Sequence, residues 1–328
     1  MRRSTLLSAA AALCAALAAP ALAQGNPAQG YPNKAVRVIS PFAPGGGVDT
    51  ALRPLLQKMT ENLGQSFYID NKSGANGMIG IDLGAKSPPD GYTLIGVTSG
   101  AVAINPSVYS KMAYDPERDI IPVANVASAK FLMVVTPSLP AKNVKEFIAL
   151  IKKANGTMAY GSPGVGGTNQ LGAEYFLQLT GTKMIHVPYR GSAPLMTDLV
   201  GGQVTMAFDS VTATVPWVRS GKLRALGVAS ATRASMAPEI PTLAEEGGPA
   251  FELNSWYGIM APAGVPPEIV AKINAEVRKA LGDPQVRATY ANLGFDIVGN
   301  TPAEFGKQIK EDTAKWAKVV KAANIHAD

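Results

Sequence analysis

The sequence has one cysteine and two histidines in 328 residues. That scarcity excludes a disulfide framework, cysteine-held iron–sulfur clusters and zinc sites built from cysteine and histidine. Charge is sparse too: charged residues make up 16% of the chain against 47% hydrophobic, and the formal net charge is +6. A chain of that balance buries a sizeable core and is not a disordered tail. No basic stretch interleaves with aromatics, so no nucleic-acid partner is expected. Beyond the N-terminal region no apolar run is long enough to cross a bilayer. Catalytic signatures are missing as well. Ser162 sits in Gly161-Ser162-Pro163-Gly164, which lacks the spacing of a nucleophile elbow, and no phosphate loop or dinucleotide fingerprint occurs. No metal and no cofactor are expected.

Glycine and proline are abundant instead, with 33 and 25 residues. They follow no triplet period, so they read as turns and backbone-lined loops rather than collagen. At the N-terminus, Arg2 and Arg3 precede an Ala-rich apolar stretch over 6–22, and Ala21-Leu22-Ala23 has the form of a cleavage site. Residues 1–23 therefore read as a secretory signal peptide. Its removal takes Cys14 with it and leaves a chain suited to an oxidising compartment.

Strands and helices then alternate. Residues 34–40 (KAVRVIS) read as a strand, and 50–63 as a helix with Leu52, Leu55, Leu56, Met59 and Leu63 on one face. Pro54 within it predicts a later start or a distorted first turn. Residues 67–70, 92–98, 131–136, 157–160, 183–187, 204–208, 223–229 and 256–261 read as further strands. Helices are predicted over 144–154, 169–179, up to Val200, 268–281 and 302–322. This alternation predicts an α/β fold whose mostly parallel sheets are flanked by helices.

Two segments share one plan: VISPFAPGGGVDTAL (38–52) and MAYGSPGVGGTNQLG (158–172) each run strand, glycine loop, helix. Each places paired glycines before the helix, Gly46-Gly47 and Gly166-Gly167. Such glycines make tight turns, or they let helix amides approach an anion. Two matched loops in two half-chains point to a ligand shared between two domains. The paired segments 131–140 and 256–266, each strand then proline turn then helix, suggest two crossings near one hinge. The expected domains are 24–125 with 253–328, and 126–252. Single residues remain open. Asp49 suits an N-cap better than a general base. Asp209 either faces the ligand or caps a turn. Arg190 either pairs a carboxylate or lies on the surface. His186 reads as a strand histidine, His326 as exposed, and Trp217, Trp256 and Trp316 as core.

Five stretches carry a family resemblance: NKSGANGMIGIDLGAKSPPDGYTLIGVTSG (71–100), YGSPGVGGTNQLGAEYF (160–176), HVPYRGSAPLMTDLVGGQVTMAFDS (186–210), IPTLAEEG (240–247) and WYGIMAPAGVPPEIVAKIN (256–274). Together they resemble the Bug, or TctC-like, family of periplasmic solute-binding proteins of tripartite tricarboxylate transporters. The resemblance spans about 31–325. It implies a two-domain periplasmic-binding-protein fold, a "Venus flytrap" of type II-like form, and a monomeric protein in the periplasm is expected. It implies a small organic carboxylate, di-, tri- or aromatic, held in the interdomain cleft and passed to membrane transporter components. Carried over by position, the cleft residues are Phe42, Gly46, Gly47, Asp49, Thr98, Ser99, Ser162, Gly166, Gly167, Thr168, Gln170, Tyr189, Phe208 and Asp209. The alternatives are a secreted hydrolase or lyase using Asp49, Asp209 or His186, and a ligand-sensing partner of a membrane signalling protein.

Overall fold

The computed structural model describes residues 27–189 and 191–327. The predicted signal peptide and Arg190 lie outside the described residues. The strands form one hydrogen-bonded path, a 10-stranded sheet in the order β2-β1-β3-β9-β4-β7-β5-β6, with β8 and β10 also on β4. The first half is built from β1 (Val36–Ser40), β2 (Phe67–Asn71) and β3 (Thr93–Thr98). The second is built from β5 (Ala159–Ser162), β6 (Ile185–Pro188) and β7 (Met206–Ser210). Each trio is parallel, with β1 between β2 and β3, and β5 between β6 and β7. Helices provide the crossovers that parallel pairing needs. The strands beside the trios run antiparallel: β4 (Ile120–Val135), β8 (Arg224–Val228), β9 (Asn254–Pro262) and β10 (Asp296–Ile297).

Strand β4 is the spine of the sheet. Its residues from Ile120 to Lys130 pair with β9, and from Phe131 to Val135 they pair with β7. The expected domain border at 125/126 thus falls inside a continuous strand, five residues before it changes partner. The chain leaves the second half just before Asn254, where β9 begins.

The helices are α1 (Gly47–Leu63), α2 (Met78–Ala85), α3 (Asn105–Val108), α4 (Val144–Ala154), α5 (Thr168–Thr180), α6 (Ser192–Val200), α7 (Val211–Arg219), α8 (Pro267–Leu281), α9 (Pro284–Asn292) and α10 (Pro302–Ala323). In α1, Leu52, Leu55, Leu56 and Met59 are buried against β1 and α8, as their spacing predicts. Pro54 is accommodated inside this helix, which starts at Gly47, earlier than expected.

The last helix lies on both halves. Phe305 and Ile309 pack beside Trp256 and Val97 of the first half. Trp316, Val319 and Val320, with Ile325 just beyond, pack beside Phe147 and Phe176 of the second. Helix α10 therefore makes core contacts on both halves. Trp256 and Trp316 are core residues as expected, and Trp217 is partly buried against a third cluster. Among the described residues no helix is long and apolar enough to cross a membrane.

Candidate functional site

Both glycine loops leave the carboxyl end of the central strand of a parallel trio, where α/β sheets place their ligands. Ser40 ends β1, and α1 opens on Gly46, which carries no side-chain cap. Ser162 ends β5, and α5 opens on Gly167, again without a side-chain cap. Four N–H groups at each helix start lack an intrahelical partner. Two uncapped starts therefore present donors and the positive ends of two helix dipoles.

Asp49 is not the N-cap; Gly46 is. Asp49 sits in the first turn and reaches back to the loop. Its Oδ2 accepts from the Gly45 amide at 3.2 Å and from Arg53 at 2.6 Å, and Oδ1 accepts from Asn71 Nδ2 at 2.8 Å. Burial pushes its pKa up, but Asn71, Arg53 and the Gly45 amide outweigh that and hold it below the usual carboxylate range. Asn71 also donates to the Phe42 carbonyl at 2.9 Å. Asp49 is the strut of the first loop, its carboxylate fixed by the loop amide, Arg53 and Asn71.

The second loop is braced by neutral groups. Gln170 Oε1 accepts from the Gly166 amide at 2.7 Å. The Ser162 hydroxyl donates to the Gly164 carbonyl at 2.6 Å and lies 2.7 Å from His186 Nε2. His186 stacks on Tyr160, with ring centroids 5.0 Å apart. Burial pushes its pKa down to about 4. His186 is a neutral prop behind the loop, and His326 is exposed near the C-terminus.

The remaining residues divide by accessibility. Phe42 and Tyr189 are partly exposed, and the Tyr189 hydroxyl donates to Asp198 at 2.9 Å. Thr98 Oγ1 accepts from the Ala101 amide at 3.2 Å, and Ser99 Oγ lies 3.4 Å from Ser255 Oγ. Thr168 and Gln170 are nearly buried in the first turn of α5. Phe208 departs from expectation. It is fully buried against Phe176 and Phe251, because its position in β7 faces the core. Only its carbonyl reaches the site, accepting from Asn169 Nδ2 at 2.9 Å.

Three residues not predicted from sequence complete the site. Tyr257 of β9 stands over Gly47: a Cβ there would lie 2.6 Å from its ring. Ser255 lies two residues before it on the same strand, and Ser192 opens α6 beside Asp209. The strand pattern Trp256-Tyr257-Gly258 held the signal for Tyr257, since Trp256 points to the core and its neighbour must point away. Gly166 is also closely approached: with φ at +74°, a Cβ there would lie 2.7 Å from a Val108 methyl. The second loop thus rests on a helix of the first half. Among the described residues no group of acids and histidines is placed to hold a metal.

A family model described as "Tripartite tricarboxylate transporter family receptor", TctC, matches residues 51–325. The chain belongs to the TctC family. It is 35% identical over 292 residues to the protein BugT of Bordetella pertussis, covering 89% of this chain and 90% of that one. Among solved structures, an R. palustris protein with adipate shares 37% identity, covers 90% of this chain and 99% of its own, and superposes with a TM-score of 0.79. MatC from Rhodopseudomonas palustris with bound malate shares 32% identity, covers 88% and 100%, and has a TM-score of 0.75. The periplasmic binding protein BugD shares 30% identity, covers 91% of this chain and 100% of its own, and has a TM-score of 0.75. This chain has the two-domain binding-protein fold of these relatives and is a binding protein rather than an enzyme.

Proposed function

We propose that this protein captures a small organic carboxylate between its two glycine loops and delivers it to the membrane components of a tripartite transporter. The observation that carries the reading is the pair of uncapped, glycine-led helix starts at Gly46-Gly47 and Gly167. Each contributes about 0.3–1 kcal/mol to a nearby anion when exposed, and up to about 2 kcal/mol when partly buried. Direct hydrogen bonds, bridging water and shape supply the rest. Adipate and malate in two relatives agree with a ligand of this chemistry. In this reading the lobes are 24–125 with 253–328, and 126–252, hinged where β4 and β9 cross. A ligand touching both loops favours the closed arrangement by its differential affinity. Export to the periplasm through the signal at 1–23 belongs to the same proposal.

A thermal-shift screen against mono-, di-, tri- and aromatic carboxylates tests it. A ligand at about 100 times its dissociation constant adds roughly 2.7 kcal/mol of apparent stability. A screen in which only neutral sugars or cations stabilise the protein contradicts the reading.

A further inference from the structure

Two acids flank the loops, and the protein itself answers both oxygens of only one. Asp49 is held by Asn71, Arg53 and the Gly45 amide. Asp209 is 4% exposed. Its Oδ1 accepts from the Ser210 amide at 2.7 Å, while its Oδ2 is buried with no hydrogen-bond partner among the described residues.

The position of Asp209 gives that orphaned oxygen a direction. It is the penultimate residue of β7, at the carboxyl end of the second trio. Three helices begin around it: α5 with Asn169, α6 with Ser192, and α7, whose N-cap is Ser210. From the first half comes Tyr257, which also covers Gly47. Burial raises the Tyr257 hydroxyl above its ordinary pKa, and the Asp209 charge adds to the rise. Asp209 therefore lies within electrostatic reach of the surface that closes over the first loop.

We infer that Asp209 is a specificity-determining residue of the cleft, its Oδ2 accepting a hydrogen bond from a hydroxyl or ammonium donor on the ligand, beside the ligand's carboxylate. The inference rests on the carboxylate reading above and narrows it to hydroxy- or amino-substituted acids. A buried acceptor left unpaired is costly, so a ligand that brings the donor regains what burial removed. A ligand without the donor leaves Oδ2 orphaned, which is the strongest way a site rejects a close analogue. The three helix starts hold the adjoining carboxylate by their amides and dipoles. Burial also raises the Asp209 pKa, against the opposing pull of Ser192, the Ser210 amide and Asn169. A donor on the ligand adds to that pull and favours the charged carboxylate.

Calorimetric titrations of the wild-type protein, Asp209→Asn and Asp209→Ala test this. The probes are succinate, malate and aspartate, with glutarate, 2-hydroxyglutarate and glutamate as the longer set. The wild-type protein is expected to bind a substituted acid about tenfold or more tightly than the plain diacid of equal length. In Asp209→Asn the amino acid weakens by about tenfold or more while the plain diacid stays within about threefold, and in Asp209→Ala the hydroxy and plain acids converge. A plain diacid that binds wild-type protein as tightly as its substituted partners overturns the role of Asp209 alone, whether or not the variants fold. A preference that survives both variants also overturns it. If no carboxylate binds wild-type protein, the carboxylate reading has failed and this inference falls with it.

Discussion

A Cβ at Gly47 would stand 2.6 Å from the Tyr257 ring, whereas one at Gly167 would meet nothing within 4 Å. The two glycines therefore ask different questions of a variant. At Gly47 any side chain must move Tyr257, which Phe295 holds edge-on at 5.3 Å between ring centroids. At Gly167 the space is open, so a side chain fills only the place proposed for the ligand. Gly167→Leu is expected to keep the melting temperature of the free protein and to weaken carboxylate binding by about tenfold or more, roughly 1.4 kcal/mol. Thermal melts and calorimetry on the same preparation check both halves, and unchanged affinity removes the α5 start from the binding account. His186 gives a second prediction. Its imidazole titrates near 6.5 when unfolded and at about 4 when folded. The folded state resists protonation, so its contribution is full above about pH 6.5 and is lost as pH falls through that interval towards 4. Urea midpoints measured between pH 7.5 and 4.5 should fall less steeply for His186→Gln, which still donates to Ser162, than for wild-type protein. Equal slopes assign the acid sensitivity elsewhere.

At the scale of elements, helix α10 is fastened to β9 by a partly buried polar contact. Trp256 Nε1 donates to Asp312 Oδ2 at 2.8 Å, and Trp256 is fully buried. Asp312→Ala leaves that N–H without an acceptor and is expected to cost about 1–3 kcal/mol. The urea midpoint should drop with an unchanged slope, and a shift near zero means the indole finds another partner. Elements with strong local signals were legible from sequence. Helix α4 has the predicted bounds 144–154, with Val144, Phe147 and Ile151 inward, an Asn143 cap and two lysines in its last turn. The parallel pairing within each half followed from the strand–helix alternation. The first half of β4 did not, because Pro122, Asn125 and a run of small residues break the strand pattern. The structure accommodates them with register shifts at Pro122/Ala124 and Asn125/Ala127. Helix α7 was missed for its interior Pro216, and β10 for its length of two residues. At the site, the loops were legible because glycine declares them. The roles of Asp49, Phe208 and Tyr257 were not, since each depends on which way a side chain points across a long-range contact.

For the whole molecule, the account is of one sheet whose halves share a spine and carry two matched loops. The spine strand β4 changes partner from β9 to β7 at Lys130/Phe131, and α10 packs on both sides. That arrangement suits a hinge with little freedom to twist, so that ligand contact with both loops selects closure rather than a new fold. The central claim is that backbone donors at the two helix starts hold the ligand's carboxylate. The most direct test is calorimetric titration of the diacid that stabilises the protein most, beside its monoamide and diamide. Amidation removes charge while nearly preserving shape, so the account predicts binding weaker by about tenfold or more for each lost charge–amide contact, about 1.4 kcal/mol. A diamide bound as tightly as the diacid would contradict it.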